Sequence, residues 1–335
     1  MFIKDGWYVA AWSAELEHKP VAVEIASENI VLFRDKSRQA HAVEDRCAHR
    51  GVPLSRGRVT EHGLECGYHG ITFGAGGRCT HLPHQTAIPN SMCVKSFAVH
   101  EQDQLIWIWP GSGPADITKI PSFPYHQTWT CRTGGVLTVN ANYELFVENL
   151  MDLTHVGYLH PGTIGGDAKT HVDAVQDTVK TATGVKFTRW YMDVAPPPFY
   201  AAMKFPGKIN RWQEMEFISP GTVILYSGGV DVAHGQDRSD HTHGVHGRFL
   251  MALTPCNQNR CMVFYSANRA HLKDVTALTD KMFSDLGHIL SEDAAMIEAQ
   301  HANLIKYPDC PLTNIVSDSA RILAQRHIDA QKTGG

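Results

Sequence analysis

Residues 45–51, D-R-C-A-H-R-G, and residues 65–70, E-C-G-Y-H-G, decide how the first third of this chain is read. They place Cys47 and His49 in one short segment and Cys66 and His69 in another, with sixteen residues between the two. Two Cys and two His can bind zinc, but zinc fingers pair Cys with Cys and His with His. Each segment here offers one of each. That mixed pairing suits a [2Fe–2S] cluster in which two Cys hold one iron and two His the other. Gly51, Gly67 and Gly70 flank the four ligands, where the backbone must come close to the bridging sulfides. Imidazoles on one iron raise the potential above that of an all-Cys cluster, making it an acceptor for electrons from a reductase.

Outward from these segments, residues 1–110 read as short β-type runs, at 21–25, 30–34, 40–44, 64–66, 71–73 and 105–109, separated by Gly and Pro. No amphipathic helix of normal length interrupts them, so an all-β domain is expected. Residues 110–124, P-G-S-G-P-A-D-I-T-K-I-P-S-F-P, form a Pro/Gly-rich connector, and the domains are drawn at 1–115 and 116–335. Residues 143–159 then carry apolar side chains at three- and four-residue spacing, the signature of a helix. Strand-like runs follow at 184–193, 212–218, 222–228, 248–253 and 260–268, and helical periodicity returns at 274–305. Strands enclosed by helices suggest an α+β second domain with an antiparallel sheet.

Composition narrows the class further. Hydrophobic content of 43% and charged content of 19% are ordinary for a globular protein of 335 residues. A net charge of −4 gives no reason to expect nucleic acid or an anionic membrane as partner. No run approaches a transmembrane length, and M-F-I-K-D-G-W-Y-V-A-A-W at 1–12 reads as a first strand, not a signal peptide. Eight Cys in such a chain are too sparse for a disulfide scaffold, so the expected compartment is the reducing cytoplasm. G-A-G-G-R at 74–78 lacks the dinucleotide fingerprint, so electrons from NAD(P)H must arrive through a separate protein.

Within the helical segment, E-N-L-M-D-L-T-H-V-G-Y-L-H-P at 148–161 concentrates polar residues. On a helix advancing about 100° per residue, Glu148, Asp152 and His155 share a stripe with Asn149 at its edge. His160 would point about 140° away from His155, so both reach one ion only if the helix loosens near Gly157. Taken alone, this is either a solvated helix face or a metal site. D-H-T-H-G-V-H-G at 240–247 puts His241 and His243 on one strand face, with His246 beyond; a solvated loop is the plainer reading.

Taken together these motifs resemble the oxygenase components of the Rieske non-haem iron oxygenases, over essentially the whole chain. The similarity is greatest to the group containing vanillate and dicamba O-demethylase oxygenases. It is carried by G-W-Y-V-A-A-W at 6–12, V-E-D-R-C-A-H-R-G-V-P-L-S-R-G at 43–57, C-G-Y-H-G at 66–70 and L-I-W-I-W-P-G at 105–111. Respiratory Rieske proteins join the two loops by a disulfide; Val52 and Tyr68 stand at those positions here. The implied fold is α+β: an all-β Rieske domain, then a catalytic domain whose antiparallel sheet is flanked by helices, of helix-grip type.

The resemblance also implies a site. The family pattern E-N-x-x-D-x-x-H-x-x-x-x-H matches at Asn149, Asp152, His155 and His160. It makes His155 and His160 ligands of a mononuclear Fe(II), which needs two His and one carboxylate with open positions for O2 and substrate. Asp152 becomes a bridge that hydrogen-bonds His155 and reaches His69 across a subunit boundary. Asn149 lies beside the iron as a weak polar neighbour. The third ligand is implied to be Asp293, in S-E-D-A-A-M-I-E at 291–298. Bottom-up, these acids equally fit a capped helix N-terminus, and Glu292 and Glu298 compete.

The expected activity is that of a terminal monooxygenase, demethylating a methoxylated aromatic compound with O2 and electrons from a separate NAD(P)H-dependent reductase, with or without a ferredoxin. N-dealkylation, methyl hydroxylation or ring cis-dihydroxylation would use the same metal sites. Rivals of another class are a Rieske electron carrier and a zinc-binding module. The resemblance implies a head-to-tail homotrimer. Residues 195–265 should line the pocket, with Phe199, Tyr200, Trp212, Phe217, Leu225, Met251 and Phe264 as candidate walls.

Overall fold

The computed structural model describes residues 1–83, 85–234 and 243–333. Two units are distinguished: Met1–Ser122 with Thr254–Asn257, and Phe123–Leu253 with the remainder of the C-terminal half.

The first unit contains ten strands: β1 Tyr8–Trp12, β2 Val21–Ile25, β3 Glu28–Arg34, β4 Ala40–Glu44, β5 Arg58–Thr60, β6 Gly63–Glu65, β7 Thr72–Phe73, β8 Cys79–His81, β9 Ser96–Gln102 and β10 Leu105–Trp109. Six of them form one sheet in the order β1-β10-β9-β4-β3-β2, and β5 to β8 form a second in chain order. Every residue of β1 (Y-V-A-A-W) and β10 (L-I-W-I-W) is buried, which explains why these strands read as continuous apolar runs and not as alternation. The two metal-motif segments fall in the turns after β4 and after β6.

The second unit is built on a seven-stranded sheet. Its strands are β11 Thr130–Val139, β12 Val175–Lys180, β13 Gly184–Val194, β14 Ile209–Ile218, β15 Thr222–Asp231, β16 Val245–Asn257 and β17 Arg260–Arg269. They lie in the order β11-β17-β16-β15-β14-β13-β12, antiparallel at β11/β17 and from β12 through β16. Its helices are α1 Tyr125–Thr128, α2 Tyr143–Leu150, α3 Val156–Leu159, α4 Ala168–Val172, α5 Thr276–Lys306 and α6 Ser319–Thr333. The long α5 packs on β11 and β17 while α2 packs on α5 and α6, so one sheet face is covered by helices. The α+β expectation is met.

Two strands of the second unit went unread in the sequence. β12 (V-Q-D-T-V-K) is an edge strand, polar and mostly exposed, and so carries no hydrophobic alternation. β11 is broken by a register shift between Arg132 and Gly135. His241 and the strand-face pairing expected for it lie outside the described residues; His243 lies tilted toward His234, with ring centroids 5.8 Å apart.

Candidate metal centre

The two loops of the first unit share one backbone design. The Cys47 N–H donates to the Val52 carbonyl at 2.8 Å and the Gly51 N–H to the Cys47 carbonyl at 2.9 Å. In the second loop the Cys66 N–H donates to Ile71 at 2.8 Å and the Gly70 N–H to Cys66 at 3.0 Å. Gly51 and Gly70 both have φ of +72°, the left-handed region, so each loop turns back on a residue that must lack a Cβ. Cys47 and Cys66 sit inside the apolar cluster of Val31, Phe33, Val43, Leu54, Leu64 and Phe73, whereas His49 and His69 are exposed.

These residues fit a cluster with a thiolate iron inside and an imidazole iron outside. The two imidazoles meet edge to face with ring centroids 4.7 Å apart, and the Tyr68 ring lies tilted against His69 at 3.9 Å. Burial pushes the Cys47 thiol up, and contact with Cys66 adds to this, while the backbone N–H groups of His49 and Arg50 point at its sulfur and oppose the rise. Such amides suit a sulfur that carries negative charge.

In the second unit, α2 starts on Asn142, whose side chain accepts from the Glu144 N–H, and it ends at Leu150. Asp152 is extended, with φ −132° and ψ 97°, and its carboxylate accepts from the Thr154 N–H at 2.9 Å and the Thr154 hydroxyl at 2.6 Å. It thereby caps a new 3-10 turn, Leu153–His155, which runs into α3. A single helix over 143–159 is therefore corrected: it breaks at Asp152, before His155, not near Gly157. Gly157 lies within α3, and a Cβ there would sit 2.8 Å from Ala168 Cα, so it serves close packing against α4. The chain leaves helical geometry at His160, with φ −120° and ψ 42°, and enters a π turn at Pro161–Gly165. The shared stripe also dissolves: Glu148 accepts from Arg321 at 3.0 Å.

The broken helix brings His155 and His160 to one point with Asp293, their candidate ligand atoms all lying within 4.8 Å of one another. Each imidazole is held through its other nitrogen. The His155 Nδ1–H donates to the Asp152 backbone carbonyl at 2.6 Å, and the His160 Nδ1–H to the Glu292 carboxylate at 2.7 Å. The expected contact from the Asp152 carboxylate to His155 is thus corrected; that carboxylate is engaged by Thr154, and the carbonyl serves instead. Both Nε2 lone pairs then face Asp293 Oδ1, at 3.4 Å from His155 and 3.0 Å from His160. Three acceptors converging on one buried point call for a cation, which is the test this site passes.

Burial opposes ionisation of Asp293, but the two imidazoles that face it prevail and hold its pKa down to about 2. Burial likewise disfavours the charged form of His160, yet Asp293 and Glu292 raise it. Asn149 Nδ2 donates to Asp293 Oδ1 at 3.1 Å, while Asn149 Oδ1 is buried with no partner. Asp293 lies deep within α5, fifteen or more residues beyond its start, so the helix-start reading of these acids is excluded. Glu298 is occupied with Asn140, at 2.7 Å to its N–H. Glu292 was weighed as a ligand; its observed partner is His160.

Beside the trio is a pocket lined by Phe199, Tyr200, Met215, Leu225, Phe249 and Met251, with α5 residues Leu286, Ile289 and Leu290 opposite. Of the expected walls, Trp212, Phe217 and Phe264 are absent from the lining. Trp212 is on the other face of β14 from Met215. Phe217 lies edge-on to His327 of α6, 6.4 Å between centroids, and no residue of β17 lines the cavity. The polar members Arg211, Gln213 and Ser227 were missed, because the run I-N-R-W-Q-E-M puts polar residues on both faces and so hides which one points inward.

Comparison with known proteins gives this arrangement its class. Residues 6–98 match the Rieske [2Fe-2S] domain and residues 139–331 the vanillate O-demethylase oxygenase C-terminal domain. The chain is 34% identical to a putative toluene-4-sulfonate monooxygenase system iron-sulfur subunit of Comamonas testosteroni, covering 100% of this chain and 99% of that one. It is 32% identical to the vanillate O-demethylase oxygenase subunit of Pseudomonas sp. strain HR199, over 98% and 94% of the two chains. Among solved structures, dicamba monooxygenase bound to 3,6-dichlorosalicylic acid superposes with a TM-score of 0.89 at 27% identity, covering 99% and 98%. The chain belongs to the Rieske non-haem iron oxygenases of the vanillate O-demethylase type. It is the terminal oxygenase component of a monooxygenase, with a Rieske [2Fe–2S] cluster and a mononuclear non-haem iron as cofactors. No helix among the described residues is long and apolar enough to cross a membrane.

Proposed function

We propose that this oxygenase removes the methyl group of a methoxylated aromatic compound, in a head-to-tail trimer supplied with electrons by a separate NAD(P)H-dependent reductase. Cys47 and Cys66 would hold one iron of the cluster and His49 and His69 the other. His155, His160 and Asp293 would hold the mononuclear iron, which when bound supplies the activation of O2. The observation that carries this reading is the convergence of two anchored imidazoles and one buried carboxylate at the edge of a pocket lined mostly by apolar side chains.

The chain's own residues have separable tasks. Asp152 and Glu292 fix the imidazole tautomers, one through its carbonyl and one through its carboxylate. Phe199, Phe249, Met251 and the α5 leucines exclude bulk water and hold an aromatic ring flat against the site. Asn149 offers a buried, unpartnered Oδ1 beside Asp293. Asp152 keeps its second carboxylate oxygen free of partners among the described residues, which suits a contact with His69 of a neighbouring copy. Hydroxylation of the methyl would give a hemiacetal that releases formaldehyde and a phenol.

A second reading, hydroxylation of a ring methyl without cleavage, is favoured by the likeness to toluene-4-sulfonate monooxygenase subunits, at 34% and 32% identity. One experiment separates the two: reductase-coupled turnover under labelled O2 of paired 4-methoxy and 4-methyl aromatics. Demethylation predicts stoichiometric formaldehyde from the methoxy series. Label retained in a benzylic alcohol from the methyl series, with no formaldehyde, overturns it in favour of the second.

A further inference from the structure

The polar corner of the cavity is built around a cation with no counter-ion. Arg211 is 2% exposed and lines the cavity. Its Nη1–H donates to the Ile164 carbonyl at 3.0 Å, and its Nε is buried without a partner. Its guanidinium carbon lies 4.4 Å from the Tyr191 ring and 5.8 Å from that of Tyr200. No acidic side chain among the described residues pairs with it. The one carboxylate lining the cavity, Asp293, is held by His155, His160 and Asn149. Arg189 repeats the pattern behind it: it is 2% exposed, with Nε and Nη1 unpartnered and one bond to the His171 carbonyl.

Strand register groups these residues. Tyr191 pairs with Arg211 and Arg189 with Gln213 between β13 and β14, while Gln213 pairs with Ser227 on β15. Gln213 accepts from the Tyr191 hydroxyl at 2.7 Å through Oε1, leaving its NH2 without a partner among the described residues. Ser227 is engaged by the Tyr200 hydroxyl at 3.0 Å. Arg211 and Gln213 thus offer donors at one corner of a pocket whose remaining walls are apolar. A buried guanidinium left uncompensated is costly, and π-faces offset only part of that. An anion arriving with the ligand would complete the site.

We propose that Arg211, assisted by Gln213, is a specificity determinant that selects aromatic substrates carrying a carboxylate or sulfonate. The proposal rests on the cavity being the substrate pocket of the preceding reading, and it holds whether the methyl is borne on oxygen or carbon. The alternative role for Arg211 is mechanical, pinning the Pro161–Gly165 turn through Ile164. The two differ in how they treat substrate charge.

The test is equilibrium binding to the holoenzyme of 4-methoxybenzoate, 4-toluenesulfonate and the neutral 4-methoxybenzamide, with iron content and cluster spectrum checked for every variant. The wild type should prefer the tighter anion to the amide by about tenfold or more, and whichever anion binds tighter names the headgroup. Arg211→Met should weaken anion binding by about 10- to 100-fold, as loss of a charged hydrogen bond does, and amide binding by less than about threefold. Arg211→Lys should recover part of the anion preference, and Arg211→Gln gives the same reading if the Met variant does not fold. Equal losses for anion and amide, or a wild type that does not discriminate, overturn the proposal. Arg211-dependent anion binding without formaldehyde from 4-methoxybenzoate sinks demethylation and leaves the anion site standing.

Discussion

The two metal-binding regions solve one problem in opposite ways. In the first unit the four candidate ligands come from two short turns, 47–49 and 66–69, each fixed by the same pair of backbone hydrogen bonds. The cysteines are rooted in the core and the imidazoles stand in the open. In the second unit the ligands lie up to 138 residues apart, His155 to Asp293, and they are buried or nearly so. There the backbone is broken to fit, at Asp152 and again at His160. A site that passes electrons at a surface can be a local turn. A site that must exclude water while leaving positions open needs several elements, with side chains that hold the ligands in place.

The largest effects should divide the two regions cleanly. Asp293→Ala should abolish turnover and lower iron from three per chain to two, while leaving the visible spectrum of the cluster unchanged. Cys66→Ser should do the converse, removing the colour while the mononuclear site still binds added Fe(II). Loss of both centres in either variant would mean that the regions do not load independently. Asp152→Asn tests the connection between them. Asn caps a helical turn as well as Asp does, so stability should change by less than about 0.5 kcal/mol. With iron content intact, reductase-coupled turnover should fall about 10- to 100-fold if the carboxylate passes electrons; an unchanged rate removes Asp152 from the path.

The same contrast explains what could be read without a structure. The C-x-H and C-x-x-H turns state their chemistry in local spacing, and the buried strands beside them declare themselves as apolar runs. His155 and His160 were legible as residues, and so was the need for a break, but not its place, because a helical wheel cannot say where a helix stops. The sequence D-L-T at 152–154 did hold the missing signal, an Asp capping the residue two positions on, which marks a helix start inside the supposed helix. Asp293 could not be derived from spacing at all. Nothing in a 31-residue helix says which of its acids faces a histidine more than 130 residues earlier. Arg211 and Gln213 stayed hidden for the opposite reason, since a strand with polar residues on both faces gives alternation nothing to report.

Glu292 sharpens the comparison at a smaller scale, because it supports a ligand without being one. Its carboxylate fixes the His160 tautomer that points Nε2 at Asp293. Glu292→Gln keeps the size but loses the charge and the obligatory acceptor, and affinity for Fe(II) should drop about 10- to 100-fold. Dialysis against a weak chelator, followed by iron analysis, measures this. Excess Fe(II) should restore turnover. Loss that no excess restores would make Glu292 a ligand in its own right.

The smallest effect expected is on stability in acid, and it belongs to the second unit. His171 of α4 is buried, and its Nε2 donates to the Gly165 carbonyl at 2.8 Å, in the turn that follows His160. Burial pushes its pKa down to about 4; the hydrogen bond to Gly165 resists, and the positive charges of Arg211 and Arg189 add to the fall. The folded value lies below the unfolded one of 6.5, so as pH drops the unfolded chain takes up the proton first. The stability that neutral His171 contributes is therefore fully present above pH 6.5 and is lost progressively toward pH 4. Gln at this position can keep a donor for Gly165 without titrating. His171→Gln should then show a flatter fall in Tm between about pH 7 and pH 5 than the parent, even if its Tm at neutral pH is lower. Parallel curves for the two proteins would assign the acid lability of this unit to other groups.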